Sequence, residues 1–174
     1  VPQLVLDQVT FRVEQSFGRL RFGLVGEPPA ALASPLEFRG EISASSVNDW
    51  RQGQGRFYIQ LDYADVALWR EWIPLLQPVE SGKGALRVWF DVDAGKPTAA
   101  TADIELTDVR MRFAKELPQL DLAHVGGRVM WKADGGRHDF SAKNLTFRTT
   151  EGQELEPATL ALGWNEDAAG AITG

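Results

Sequence analysis

The sequence predicts a mainly β protein: a curved antiparallel sheet, a groove-like meander of about eight or nine strands, with one amphipathic helix at about 65–73. Three observations carry this. Apolar and polar residues alternate with period 2 through most of the chain. Glycine- and proline-rich breakers separate the alternating runs at short intervals. One strand pattern recurs three times with the same one-residue slip of phase.

Taken in order, Leu20, Phe22 and Leu24 alternate with Arg19, Arg21 and Gly23, and Leu36, Phe38 and Gly40 alternate with Glu37, Arg39 and Glu41. Phe57, Ile59, Leu61 and Tyr63 oppose Tyr58, Gln60 and Asp62. Leu86, Val88, Phe90 and Val92 oppose Arg87, Trp89 and Asp91. Further strands are expected within 100–113, 125–132, 139–149 and 158–164. Breakers fall between the runs, at Gly26-Glu27-Pro28-Pro29, Gly53-Gln54-Gly55, Gly82-Lys83-Gly84, Gly95-Lys96-Pro97, Asp134-Gly135-Gly136 and Glu151-Gly152. Two of these regions, 93–97 and 133–136, suit short hairpin connections.

One segment has a different period. Val66, Trp69, Trp72, Ile73 and Leu76 share one helical face. Asp62 or Asp65 is placed to accept hydrogen bonds from the first free amides. Pro74 ends the regular helix. Such a helix either packs on the sheet as core or forms a plug or lid over an apolar groove.

The repeat aligns Val9, Val109 and Leu145. Leu4, Ile104 and Phe140 stand five residues earlier, and Leu6, Leu106 and Ala142 three earlier. The position just before is polar in each copy: Gln8, Asp108 and Asn144. Phe11, Met111 and Phe147 follow, then Arg12, Arg112 and Arg148. In every copy the apolar phase slips by one residue before the aligned position. A flat strand would then turn its apolar side to water. A bulge or bend inserts one residue and re-aims the side chains, so each copy is expected to be a long, bent strand. The copies are 100 and then 36 residues apart, so a helical insertion is expected at about 43–84. Residues 1–174 are expected to form a single β-rich segment of a larger repetitive protein.

Composition narrows the function. The chain has 174 residues, 18 basic and 24 acidic, for a net charge of −6. No lysine or arginine run exists to track a phosphate backbone, so no nucleic-acid partner is expected. At 44% hydrophobic residues the chain can build a core. It has no cysteine, which excludes disulfides, thiolate metal sites and thiol catalysis. The two histidines, His124 and His138, have no close metal-ligand spacing. The carboxylate pairs Asp91/Asp93 and Asp103/Glu105 are expected on a solvated face rather than in acid–base catalysis. Gly82-Lys83-Gly84 is too short for a phosphate loop, and no Gly-x-Ser-x-Gly elbow occurs. No catalytic residue, metal site or cofactor is expected. Six tryptophans remain: Trp50, Trp69, Trp72, Trp89, Trp131 and Trp164. Four of them, Trp69, Trp72, Trp131 and Trp164, share faces with aliphatic residues. Trp89 stands between Arg87 and Asp91 on the polar side.

Leu61-Asp62-Tyr63-Ala64-Asp65-Val66-Ala67-Leu68-Trp69-Arg70-Glu71-Trp72-Ile73-Pro74 and Gly82-Lys83-Gly84-Ala85-Leu86-Arg87-Val88-Trp89 resemble the central region of the YhdP family of large AsmA-like envelope proteins. Leu120-Asp121-Leu122-Ala123-His124-Val125-Gly126-Gly127-Arg128-Val129-Met130-Trp131 and Phe140-Ser141-Ala142-Lys143-Asn144-Leu145 are similar to the same family. The resemblance implies a periplasmic segment of a protein anchored in the Gram-negative inner membrane, related to TamB and to bridge-like lipid transfer proteins. It further implies a non-enzymatic role in carrying phospholipid between inner and outer membranes. The implied partners are phospholipid acyl chains and neighbouring repeats of the same parent chain. Membrane contact would come only through parts of the parent that this sequence lacks.

On that reading the groove lining is Leu20, Phe22, Leu24, Phe57, Ile59, Leu61, Leu86, Val88, Phe90, Ile104, Leu106, Val129, Trp131, Phe140, Leu160 and Leu162, with Val66, Trp69, Trp72 and Ile73 as helix or lid. Two alternatives stand beside it. One is a structural or protein-interaction module whose sheet closes on its own core. The other is a carbohydrate-binding module using aromatic platforms.

Overall fold

The computed structural model describes residues 3–43, 52–73, 76–112, 116–166 and 172–173. They form one antiparallel meander in which every strand pairs with its sequence neighbours. The strands are β1 (Asp7–Ser16), β2 (Arg19–Glu27), β3 (Leu36–Ser43), β4 (Gln54–Asp65), β5 (Val79–Asp93), β6 (Lys96–Met111), β7 (Leu120–Asp134), β8 (Arg137–Thr149) and β9 (Glu154–Glu166). A two-residue β10 (Ile172–Thr173) pairs with the end of β9. The sheet is open: β1 and β9 are not joined, and all of β1 is exposed. Along one margin, two-residue turns close the hairpins. Phe17 and Gly18, Ala94 and Gly95, and Gly135 and Gly136 all have positive φ, which matches the right-handed twist of the flanking strands.

The bends expected from the repeat are present, and at the expected residues. Gln8, Asp108 and Asn144 adopt φ of 50°, 52° and 51°, the left-handed conformation that few non-glycine residues take. Between Asp7 and Thr10 the β1–β2 register shifts, because three steps on β1 oppose two on β2. The same happens on β8, where Ala142 pairs with Leu160 and Leu145 with Ala158. On β6 the slip lies between Thr107 and Arg110, whose β5 partners are Lys83 and Ser81. A further register shift occurs on β4 between Leu61 and Ala64 without a left-handed residue. Glycine lets the next strand approach each bend. A methyl group on Gly127 would stand 3.0 Å from the Asn144 carbonyl oxygen, and one on Gly84 would collide with that of Glu105.

The expected helix at 65–73 is not formed. Asp65 ends β4, and only Leu68–Glu71 make a single 3-10 turn, with Ala67 at its start and no side-chain cap. The physical reason lies in the amides that would begin a helix. Asp65 N–H donates to the Leu32 carbonyl at 3.0 Å, and Val66 N–H to that of Gly82 at 2.9 Å. Tertiary bonds thus hold the chain extended until Val66, and too few residues remain to propagate a helix. Pro74 lies outside the described residues, as does Trp50. The interval expected as a helical insertion, 43–84, is corrected in the same way: Gln54–Asp65 and the first residues of β5 are strands of the meander.

The core sits along the bent margin. Val66 packs with Leu106, Val109, Leu122 and Val125, and Ala33 packs with Leu61 and Ala64. Two connections cover these clusters. The β2–β3 loop contributes buried Leu32 and Ala33, and the β4–β5 connection contributes Val66 and Ala67. Trp69 lies against the second cluster and donates its indole N–H to the Leu32 carbonyl at 3.3 Å, tying the two connections together.

Candidate functional site: a one-sided apolar face

In an antiparallel pair, directly opposed residues point to the same side, so the register shows which side chains share a face. One row runs Phe22, Gly40, Phe57, Phe90, Ala100, Trp131, Phe140 and Leu162 across β2 to β9. The next runs Leu24, Phe38, Ile59, Val88, Ala102, Val129, Ala142 and Leu160. Leu61, Leu86 and Ile104 form a third, and Leu20 stands opposite Ile42 on the other flank. Every residue expected in the lining therefore lies on one face, Leu106 two positions along from Ile104 included. At a strand spacing of about 4.8 Å, rows from β2 to β9 extend for about 34 Å.

Exposure divides this face into two zones. Leu61 and Leu106 are only 5% and 9% exposed and belong to the covered core, not to an open surface. Toward the hairpin margin most row residues are half-buried, Ala142 and Ile42 are buried, and Leu160 and Leu162 on β9 are 40% and 56% exposed. The lid candidates divide likewise. Val66 is buried and Trp69 half-buried, and Trp72 packs against Trp69 with ring centroids 5.9 Å apart. Ile73 faces solvent.

Aromatic rings dominate the open zone. Phe57 stacks on Phe90 at 4.8 Å and on Phe38 at 5.9 Å, with Phe22 tilted against both Phe38 and Phe57. These rings meet over Gly40, where a methyl group would collide with Phe22. Near β9, His138 is sandwiched between Trp131 and Trp164 at 5.8 and 5.2 Å. Its Nε2 lies 3.2 Å from Glu166, and its buried Nδ1 has no hydrogen-bond partner among the described residues. Sequence reasoning left Phe11, Val13, Phe38, Ile42, Ala100, Ala102, Ala142, His138 and Trp164 out of the lining. The alternation held the signal for most of these. For His138 the phase with Phe140 and Ala142 indicated the face, but a histidine between Arg137 and Asp139 reads as polar surface.

The opposite face is ionic. Glu14, Arg21, Glu41, Arg56 and Asp91 oppose one another in turn, alternating in sign across five strands. Arg21 Nε donates to Glu41 at 2.6 Å and Arg56 Nε to Asp91 at 2.9 Å. Arg128 grips Asp103 through two nitrogens at 2.5 and 2.7 Å. Hydrogen bonds from these guanidinium groups hold the Glu41 and Asp103 carboxyls below their usual range. Arg137 does the same to Asp139, and Gln119, then Arg110, to Asp121. The carboxylate pairs singled out in the sequence are engaged here too: Glu105 meets His124 at 2.5 Å and Asp93 accepts from Gln54 at 3.3 Å. Among the described residues no group of three or more metal-ligating side chains occurs, and no helix is long and apolar enough to cross a membrane.

The described residues thus form an open antiparallel meander, apolar on one face and ion-paired on the other. The family model described as YhdP protein matches residues 2–173, and the chain belongs to that family. YhdP proteins are Gram-negative envelope proteins and are not known as enzymes. No curated protein and no solved structure matches this chain.

Proposed function

We propose that this chain is a non-enzymatic segment of an envelope protein that shelters phospholipid acyl chains on its apolar face during transport between inner and outer membranes. The supporting observation is the pair of apolar rows that cross the sheet from β2 to β9, every member of which except Ala142 keeps part of its surface open. A chain of roughly 16 methylenes costs on the order of 13 kcal/mol to hold in water, at about 0.8 kcal/mol per methylene. A contiguous apolar surface relieves that cost, and alternation keeps the other face wetted. Sliding along the rows requires no fixed head-group site. The segment acts in the periplasm, as part of an inner-membrane-anchored protein, with neighbouring repeats of its parent chain continuing the sheet.

Delipidated protein titrated with a photo-crosslinkable phospholipid is expected to take up lipid and to crosslink at Phe57, Val88, Phe90 or Trp131. Absence of uptake, or crosslinks confined to the ionic face, overturns the reading. The covered margin favours a second reading, a structural module with a closed core, for the zone around Val66 and Val109 alone.

A further inference from the structure

Among the described tryptophans of the strands, Trp89 is the one that the apolar face does not use. It lies on the ionic face, its ring 5.2 Å from Tyr58 and beneath the Arg128 guanidinium at 5.8 Å. Its cross-strand row continues outward through Tyr58 and Arg39 to Gly23 and Arg12. A cleft of about 620 Å³ lies along this row. Its floor at Gly23 is bare: a side chain built there would meet nothing within 4 Å. Arg12 and Arg39 flank that floor, two strand spacings or about 10 Å apart. Each is drawn along its own strand, Arg12 to Glu14 and Arg39 to Glu37, so neither closes over the glycine. Arg21 and Arg56 border the cleft from the next row and make their ion pairs through Nε, which leaves their terminal nitrogens open. The lining thus holds four guanidinium groups against two carboxylates, Glu14 and Glu41, in a chain whose net charge is −6.

We propose that this cleft binds an acidic oligosaccharide, its ring faces on the Tyr58–Trp89 wall and the Gly23 floor and its carboxylates on Arg12 and Arg39. The chemistry selects this class. Aromatic walls suit the C–H-rich face of a sugar ring, and guanidinium forks suit carboxylates. The shallow, open shape suits a chain laid across strands rather than a compact phosphate. A strand-adding peptide would need the free main-chain groups of a sheet edge, and the cleft is lined instead by side chains that project from the face of β1 to β5. The site uses the face opposite the apolar rows and stands or falls independently of lipid binding.

Calorimetric titration of the full chain at low salt tests it, with tetragalacturonate as probe and cellotetraose and inorganic phosphate as comparators. Tetragalacturonate is expected to bind, and the Arg12→Ala/Arg39→Ala double variant to weaken it by about tenfold or more. Gly23→Leu is expected to block the cleft while leaving the melting temperature in place, because its side chain enters open space. This variant serves even where the double variant folds poorly. Arg137→Ala, on the same face and paired with Asp139, is expected to leave binding unchanged. Lipid uptake is expected to survive Gly23→Leu. No binding of tetragalacturonate overturns the proposal, as does equal binding of cellotetraose or phosphate, or Gly23→Leu binding as the parent does.

Discussion

At the residue scale, three side chains set the curvature. Gln8, Asp108 and Asn144 all hold a left-handed backbone, and Asp108 and Asn144 carry the short polar side chains that tolerate it best among non-glycine residues. Asn144→Val should destabilise the fold by about 1–2 kcal/mol, whereas Asn144→Gly should be neutral or better. Denaturant midpoints of the two variants check this, and equal losses would mean that the side chain, not the backbone, matters. The ionic face has its own residue-scale consequence. Glu41, Asp103, Asp121 and Asp139 have folded-state affinities for protons below the ordinary carboxylate value. A depressed folded value contributes stability above the unfolded value and loses it as pH falls through the folded one. The melting temperature should therefore hold near neutrality and fall progressively below about pH 4. Asp103→Asn should lower it at pH 7 and flatten that acid fall.

At the scale of elements, the β4–β5 connection is a fixed wall over one margin rather than a mobile helix. Val66 is 3% exposed inside the main cluster, while Leu68 and Ile73 in the same connection are 45% and 42% exposed. Val66→Ala should cost about 1–3 kcal/mol, and Ile73→Ala should stay within about 0.5 kcal/mol. Trp69→Ala should fall between full core truncation and a surface change, because its ring is half-buried and its indole bond to Leu32 is lost with it. Thermal melts of the three variants order them, and a large loss at Ile73 would revive the idea of a helix buried along its length.

For the whole molecule, the division of one face into a covered and an open zone makes a paired expectation. Val88→Glu places a charge on the open rows, where water can still reach it, so the fold should survive while lipid uptake is lost. Leu61→Glu places the same charge in the core and should unfold the sheet. Circular dichroism with the uptake assay separates the two. Uptake by a folded Val88→Glu variant would remove the open rows from the proposed function.

Much of this was legible in the chain itself. Period-2 alternation specified the strands and the shared face, because a strand pairs only with residues of its own phase. The triple slip specified the bends at Gln8, Asp108 and Asn144, because only an inserted residue keeps one side apolar. The helix was misread because Val66, Trp69 and Trp72 fit a helical spacing equally well. That ambiguity was resolved by Leu32 and Gly82, partners distant in sequence whose carbonyls capture the amides of Asp65 and Val66. Tertiary packing alone also decided that Leu61 and Leu106 are core while Val88 and Leu162 stay open, and that His138 lies between two indoles. The physical reason is common to all of these. Alternation is a local property of the backbone, but exposure depends on which connection folds over which margin, and that is fixed by contacts between residues far apart in the chain.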